Sequence, residues 1–281
     1  MSVRKVVITA GGLGTRLLPM SKELPKEMMP IFLKGINDDI ILKPLLQALF
    51  EQFYSVGFRE FCFVVGRGKR AIEDHFTPDW KYVELLEENG KIAFANELKS
   101  FYGMIEKSRI MWVNQPEPRG FGHAVLMAES FVGNDPFFVA AGDTYIASND
   151  FIVNMIDLFS NKHLSAVLLL QRVLDPSQYG VAVVDGGRVL KVIEKPKEFV
   201  SDLAIMPFYI FDPVVMKIIP QLKPGVSNEI QLTDAIQRLI EIGRVEAVFL
   251  SDNILRFDIG TPRTYWEAIK GSYKLAGGKV D

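Results

Sequence analysis

Residues 6–30 read VVITAGGLGTRLLPMSKELPKEMMP. Val6, Val7, Ile8 and Thr9 are apolar or β-branched and predict a buried strand. The strand breaks into Ala10-Gly11-Gly12-Leu13-Gly14-Thr15-Arg16, and a second basic cluster follows at Pro25-Lys26-Glu27. Glycines tolerate positive φ and close backbone approach, so Gly11, Gly12 and Gly14 let successive N–H groups point into one concavity. With Arg16 and Lys26 beside it, such a nest suits a polyanion, and a nucleoside triphosphate fits best.

The two common phosphate loops are excluded by spacing. No G-x-x-x-x-G-K-[ST] frame exists here, and Gly66-Arg67-Gly68-Lys69 lacks that spacing too. A G-x-G-x-x-G fingerprint could begin only at Gly12, and its third glycine position holds Leu17.

Moving outward, Pro44 suits a first helical turn, and Leu45, Leu49, Phe53 and Val56 trace one helical face capped by Gly57. Leu33–Asp39 reads as a polar connection, and Phe61–Val65 as the second strand. This β-α-β alternation predicts an α/β, Rossmann-like fold, with a mixed, mostly parallel sheet flanked by helices and ligands at the carboxyl ends of its strands. The 281 residues suffice for one large domain with its own core. A net charge of −2 offers no electrostatic case for nucleic acid or an anionic membrane. The single cysteine, Cys62, sits in an apolar strand and reads as a buried structural thiol; three histidines make a histidine metal site improbable. Apolar runs are too short to span a bilayer, no N-terminal signal fits, and a cytoplasmic location is expected.

A-G-G-x-G-T-R-L-x-P followed by P-K-E-M-x-P resembles the signature of the sugar-phosphate nucleotidylyltransferases, most of all the bacterial-type UTP–glucose-1-phosphate uridylyltransferases. The resemblance runs from about Val3 to Lys270. It implies the nucleotide-diphospho-sugar transferase fold, and transfer from UTP to glucose 1-phosphate with Mg²⁺ and release of pyrophosphate.

Further residues take expected roles from that likeness. Residues 77–107 are charged with scattered apolar positions and predict a helical excursion protruding from the sheet; relatives' insertions there suggest a homo-oligomer, dimer or tetramer. Arg109–Asn114 predicts a strand, and Gln115-Pro116-Glu117-Pro118-Arg119-Gly120 leads from it into a helix over Ala124–Phe131. Taken alone, Gln115 is a loop-capping amide. By resemblance it bonds the pyrimidine edge, and Gly120 lets the backbone approach the ring. Phe137–Ala141 predicts a strand ending at Gly142-Asp143-Thr144. Asp143 alone could be a turn aspartate; by resemblance it is a Mg²⁺ ligand, with Thr144 standing where the family has a second aspartate, on the sugar side.

Helix over Ser148–Ser160 and strand over Leu164–Gln171 precede an antiparallel hairpin around Asp185-Gly186-Gly187 with a bulged turn. The hairpin alone could be a solvated surface element. By resemblance Gly180 and Glu194 hold sugar hydroxyls, Lys195 reaches the phosphate, and Asp202 stands where an asparagine closes over the sugar, within a sugar-binding part spanning about 175–260. Pro207-Phe208 also departs from the family pattern. Asp258, before Ile259-Gly260, is the expected second Mg²⁺ ligand. Tyr265–Leu275 predicts a closing helix, with a glycine-rich tail over Ala276–Asp281.

Arg16, Lys26 and Lys195 are the expected catalytic cations; Ala10, Gly11, Gly12, Gly14 and Thr15 join Gln115 and Gly120 on the nucleotide. In-line attack needs no general base, because a sugar phosphate is already anionic. The alternatives are a dTTP-using thymidylyltransferase, a glycosyltransferase on a similar sheet, and a non-catalytic nucleotide-sugar sensor.

Overall fold

The computed structural model describes residues 3–225 and 228–279, so the last two residues of the expected tail lie outside them. From the N-terminus, β1 (Lys5–Ala10) passes through short 3₁₀ turns, the last at Lys26–Met28, into β2 (Pro30–Lys34), β3 (Ile40–Pro44), α1 (Leu45–Ser55) and β4 (Glu60–Gly66). Next come α2 (Arg70–His75), α3 (Trp80–Glu88), α4 (Ile92–Glu106), β5 (Arg109–Gln115), α5 (Phe121–Leu126) and α6 (Glu129–Val132). β6 (Phe137–Ala141), β7 (Thr144–Ile146), α7 (Asp150–Ser160), β8 (Ala166–Arg172), β9 (Gly180–Asp185) and β10 (Arg188–Glu194) follow. The chain ends with β11 (Leu203–Phe211), α8 (Val215–Ile218), α9 (Leu232–Ile242), β12 (Val245–Phe249), β13 (Arg256–Asp258) and α10 (Pro262–Leu275).

The main sheet has the order β5-β4-β1-β6-β11-β8-β12-β10-β9. The expected parallel pairing holds from β5 through β4 and β1 to β6. Beyond β6 it gives way to antiparallel pairing on both sides of β11 and in the β9–β10 hairpin, with β8 and β12 parallel between them. The sheet is therefore mixed. Alternate residues of the central strands face opposite layers: Val6, Ile8, Phe61 and Phe63 join the core under α1–α4 and α7. Val7, Cys62, Val64 and Val139 join the core with α5, α8 and α9. Cys62 is fully buried, and burial pushes its thiol up to about 12.

The chain leaves β1 to build β4 and β5 on one side, then returns to build β6 on the other. The loops after β1, β4, β5 and β6 consequently emerge at one edge, around the crevice beside β1 where such sheets bind ligands.

Several expectations are corrected. The polar connection Leu33–Asp39 is the turn region of a β2–β3 hairpin, with Pro30 opposite Pro44; Pro44 therefore ends β3 and caps α1 instead of lying in its first turn. That hairpin, α10 and β13 form a third, smaller core around Ile31, Leu45 and Phe257. The helix expected over Ala124–Phe131 starts earlier, at Phe121, and is interrupted at Met127-Ala128. Residues 77–107 do form helices but do not simply protrude, because Val83, Leu86, Ala95, Phe101 and Ile105 are buried in the main core. Gly186 and Gly187, both with positive φ, make a two-residue turn, and the bulge lies beyond it between Val189 and Lys191. Proline cannot donate to a ladder, and in β11 the register to β8 shifts between Met206 and Tyr209, which accommodates Pro207.

Candidate active site

β1 ends at Ala10, and Gly14, in the left-handed region at φ 65°, opens a single 3₁₀ turn over Thr15–Leu17. Ser21 Oγ donates to Gly14 O at 2.7 Å and holds that turn. Thr15 and Arg16 are exposed on the loop, whereas Ala10 is buried at the strand end. The β4 loop meets it backbone to backbone: a Cβ on Gly66 would lie 2.6 Å from Gly11 O. A cleft of about 270 Å³ separates the two loops, lined by Gly11, Gly12, Thr15, Arg67, Gly68 and Lys69 among others.

Lys26 Nζ donates to Asp143 Oδ2 in a largely buried ion pair. Burial alone would lower the Lys26 pKa, but the charges of Asp143 and Glu27 outweigh it and hold the ammonium above its usual range. Burial pushes the Asp143 carboxyl up, and the Lys26 ammonium more than reverses this, leaving it below the ordinary range. Asp143 follows β6. Asp258 reaches it because β13 pairs antiparallel with β7, setting Asp258 opposite Thr144, and Ile259 N–H donates to Asp143 O at 2.9 Å. Asp258 is pushed up to about 6, by burial first and by the Asp143 charge second, with Arg256, Lys26 and Arg16 acting against them.

Two carboxylates that feel each other this strongly, with lysine at hand, suit a hard divalent cation. No group of three or more His, Cys, Asp or Glu side chains among the described residues could hold a metal. A two-carboxylate set fits Mg²⁺, which takes one or two protein carboxylates and completes its shell with phosphate oxygens and water.

Behind Lys26 lies a pair that the sequence reading missed. Glu27 is 1% exposed and accepts from Lys69 Nζ at 2.7 Å. Lys69 belongs to the Gly66–Lys69 stretch set aside for its spacing. Its signal was its place at the end of the second parallel strand.

Gly180 and Glu194, expected on the sugar side, form a second cluster with Thr233. Gly180 lies opposite Glu194 in the β9–β10 ladder, and a Cβ there would lie 3.0 Å from both Glu194 Oε2 and Thr233 Oγ1. Thr233 Oγ1 donates to Glu194 Oε2 at 2.6 Å. Lys195 has φ 42° and its N–H donates to Tyr179 O at 3.0 Å, so the lysine is held at the base of the hairpin. Among the described residues no direct contact joins Lys195 to the Lys26–Asp143 pair. The link between the clusters is Arg256 Nη2, which donates to Tyr179 Oη at 3.2 Å.

Four expected residues sit differently from the sequence reading. Gln115 is buried; its Nε2 donates to His123 Nδ1 at 3.0 Å and to Gly120 O at 3.3 Å, while Oε1 fills the place of a Gly11 Cβ. Its amide N–H donors are thus engaged within the chain rather than turned to a base. His123 must then accept at Nδ1, in keeping with a pKa lowered first by burial and then by Arg119. Gly120 permits a close approach, but to Glu229 and Ile230: a Cβ there would lie 2.8 Å from Ile230 O. Thr144 is buried with its hydroxyl on Asp143, at 3.4 Å, not in the Gly180–Glu194 cluster. Asp202 pairs with Arg172 at the surface, so its charge is met there.

A mixed sheet whose parallel half carries a glycine-rich loop, a largely buried lysine and two electrostatically coupled carboxylates beside its carboxyl ends suits transfer at a phosphate. The chain belongs to the nucleotidyl transferase family, whose profile matches residues 5–274. It is 36% identical over 268 residues to the UTP–glucose-1-phosphate uridylyltransferase of Bacillus subtilis (strain 168), covering 92% of this chain and 87% of that one. It is 36% identical over 272 residues to the enzyme of that name from Streptococcus pyogenes, covering 92% and 84%. The fold is similar to that of a UDP-glucose pyrophosphorylase complexed with UDP-glucose, with a TM-score of 0.81, 32% identity and coverage of 97% and 99%.

Proposed function

We propose that this chain transfers a uridylyl group from UTP to glucose 1-phosphate, giving UDP-glucose and pyrophosphate. The observation that carries the proposal is the junction of Lys26, Asp143 and Asp258, drawn from opposite ends of the chain to the mouth of the glycine loop. The names of its relatives supply the substrates.

An oxygen of the sugar phosphate attacks the α-phosphorus of UTP in line. The bond to the bridging oxygen breaks, and pyrophosphate departs with the electron pair. No proton need move, so the protein's task is positioning and charge neutralisation. The Gly11–Thr15 amides and Arg16 bind the β- and γ-phosphates and stabilise the leaving group. Lys26 faces the α-phosphate; Lys195, on the sugar hairpin, faces the attacking phosphate. Asp143 and Asp258 would hold Mg²⁺, which supplies charge neutralisation at the phosphate oxygens when bound. Glu194, fixed by Thr233, and Gly180 receive the sugar hydroxyls. For Gln115 to read the base, its amide must exchange His123 for the pyrimidine edge.

The test is pyrophosphate release by the purified chain across four nucleoside triphosphates and three sugar 1-phosphates. UTP with glucose 1-phosphate should give the highest kcat/KM. Preference for dTTP would make it a thymidylyltransferase; UDP-glucose binding with no turnover would make it a sensor.

A further inference from the structure

Arg256 has no part in the chemistry above, yet it stands between the two clusters. It lies two positions before Asp258 on β13, and alternate residues of a strand share a face, so both side chains leave the strand on one side. Among the described residues the half-buried Arg256 hydrogen-bonds through its guanidinium only to neutral partners, although Asp258 feels its charge. Nη1 donates to Met206 Sδ at 3.0 Å and Nη2 to Tyr179 Oη at 3.2 Å, with Cζ 5.4 Å from the centre of the Tyr179 ring. Among the described residues no carboxylate lies within ion-pair distance of it. A guanidinium cannot shed its charge and carries five donors in a planar fork. Satisfied only by a thioether and a phenol, it retains donors and charge for an anion.

Which anion follows from what Tyr179 holds. The same residue that accepts from Arg256 through its hydroxyl accepts from the Lys195 N–H through its carbonyl. Arg256 is thereby bound to the sugar hairpin, while the glycine nest and Arg16 belong to the far end of the nucleotide. We propose that Arg256 binds the phosphate of the sugar 1-phosphate, together with Lys195, and presents its attacking oxygen towards the Lys26–Asp143–Asp258 junction. The inference rests on the nucleotidyl-transfer reading and adds a second cation for the acceptor substrate.

Steady-state kinetics of the full chain with UTP and glucose 1-phosphate test it. Arg256→Met removes a charge-assisted contact and should raise KM for glucose 1-phosphate about 10- to 100-fold while KM for UTP moves less than about three-fold. Arg256→Lys, which keeps the charge without the fork, should recover part of the loss. Thermal unfolding of both variants accompanies the kinetics. An unchanged KM for glucose 1-phosphate overturns the assignment. So do both KM values rising in step with a lowered melting temperature, the mark of a purely structural arginine. If the wild type releases no pyrophosphate from any substrate pair, the underlying reading fails and this inference falls with it. Wild-type turnover with Arg256→Met unaffected sinks the arginine alone.

Discussion

Lys26 is held by charges on two sides, Asp143 in direct contact and Glu27 behind. The pairing keeps the ammonium charged and fixed at the mouth of the glycine loop before any substrate arrives. Removing one preorganised, charge-assisted donor costs about 100- to 1,000-fold in kcat, and that is the expected loss for Lys26→Ala, read by pyrophosphate release. Activity within a few-fold of wild type would refute its catalytic place. Gly120 supports a prediction of another kind. It has φ 102°, and an added Cβ would press on the Ile230 backbone. Gly120→Ala should therefore lower unfolding free energy by about 2–5 kcal/mol, measured by urea titration.

At the scale of elements, the Lys69–Glu27 pair ties the β4 loop to the turn that carries Lys26. Breaking a buried pair from one side strands a charge. Lys69→Met should cost about 3–5 kcal/mol, and adding Glu27→Gln should return much of it; a double variant no more stable than the single would argue against the pairing. Helix α2 offers a pH test. His75 stacks on Phe101 and its Nε2–H donates to Gln47 Oε1 at 2.9 Å. Burial lowers its pKa from 6.5 to about 4. The unfolded chain therefore binds this proton more readily, so the contribution is complete above pH 6.5 and is lost as the pH falls towards 4. That loss amounts to about 3 kcal/mol. His75→Gln should flatten stability over that window, and an unchanged acid limb would refute it.

Periodicity and punctuation made most of these elements legible. Strand β6 and the turn at Gly186-Gly187 stand where the pattern put them, and Gly57 follows α1 with φ 105°. The β2–β3 hairpin escaped because its outward residues include Ile36, Ile40 and Leu42, which break polar–apolar alternation. Glu27 and Lys69 escaped because they are far apart in sequence, and nothing in either neighbourhood announces a partner. Motif residues could be nominated, but the contacts of Gln115 and Asp202 depend on neighbours that only folding supplies.

Across the whole molecule, Asp143 stands between the end of β6 and the start of β7, and Asp258 is brought to it by the separate β7–β13 ladder, whose β13 packs on α10. Ligand that binds only the folded chain stabilises it by mass action. UTP with Mg²⁺ at about 100 times its dissociation constant should add about 2.7 kcal/mol, seen by calorimetry as a higher melting temperature. No rise in melting temperature under these conditions would count against nucleotide binding in the crevice.

The order of synthesis gives the β7–β13 ladder one more consequence. The glycine nest leaves the ribosome long before Asp258, which lies far downstream of it in the sequence. A product terminated before β13 would carry a cradle for phosphates with half of its carboxylate pair missing. On the proposed reading such fragments would lack the geometry to consume nucleotide, and activity would begin only once β13 has been made and paired with β7.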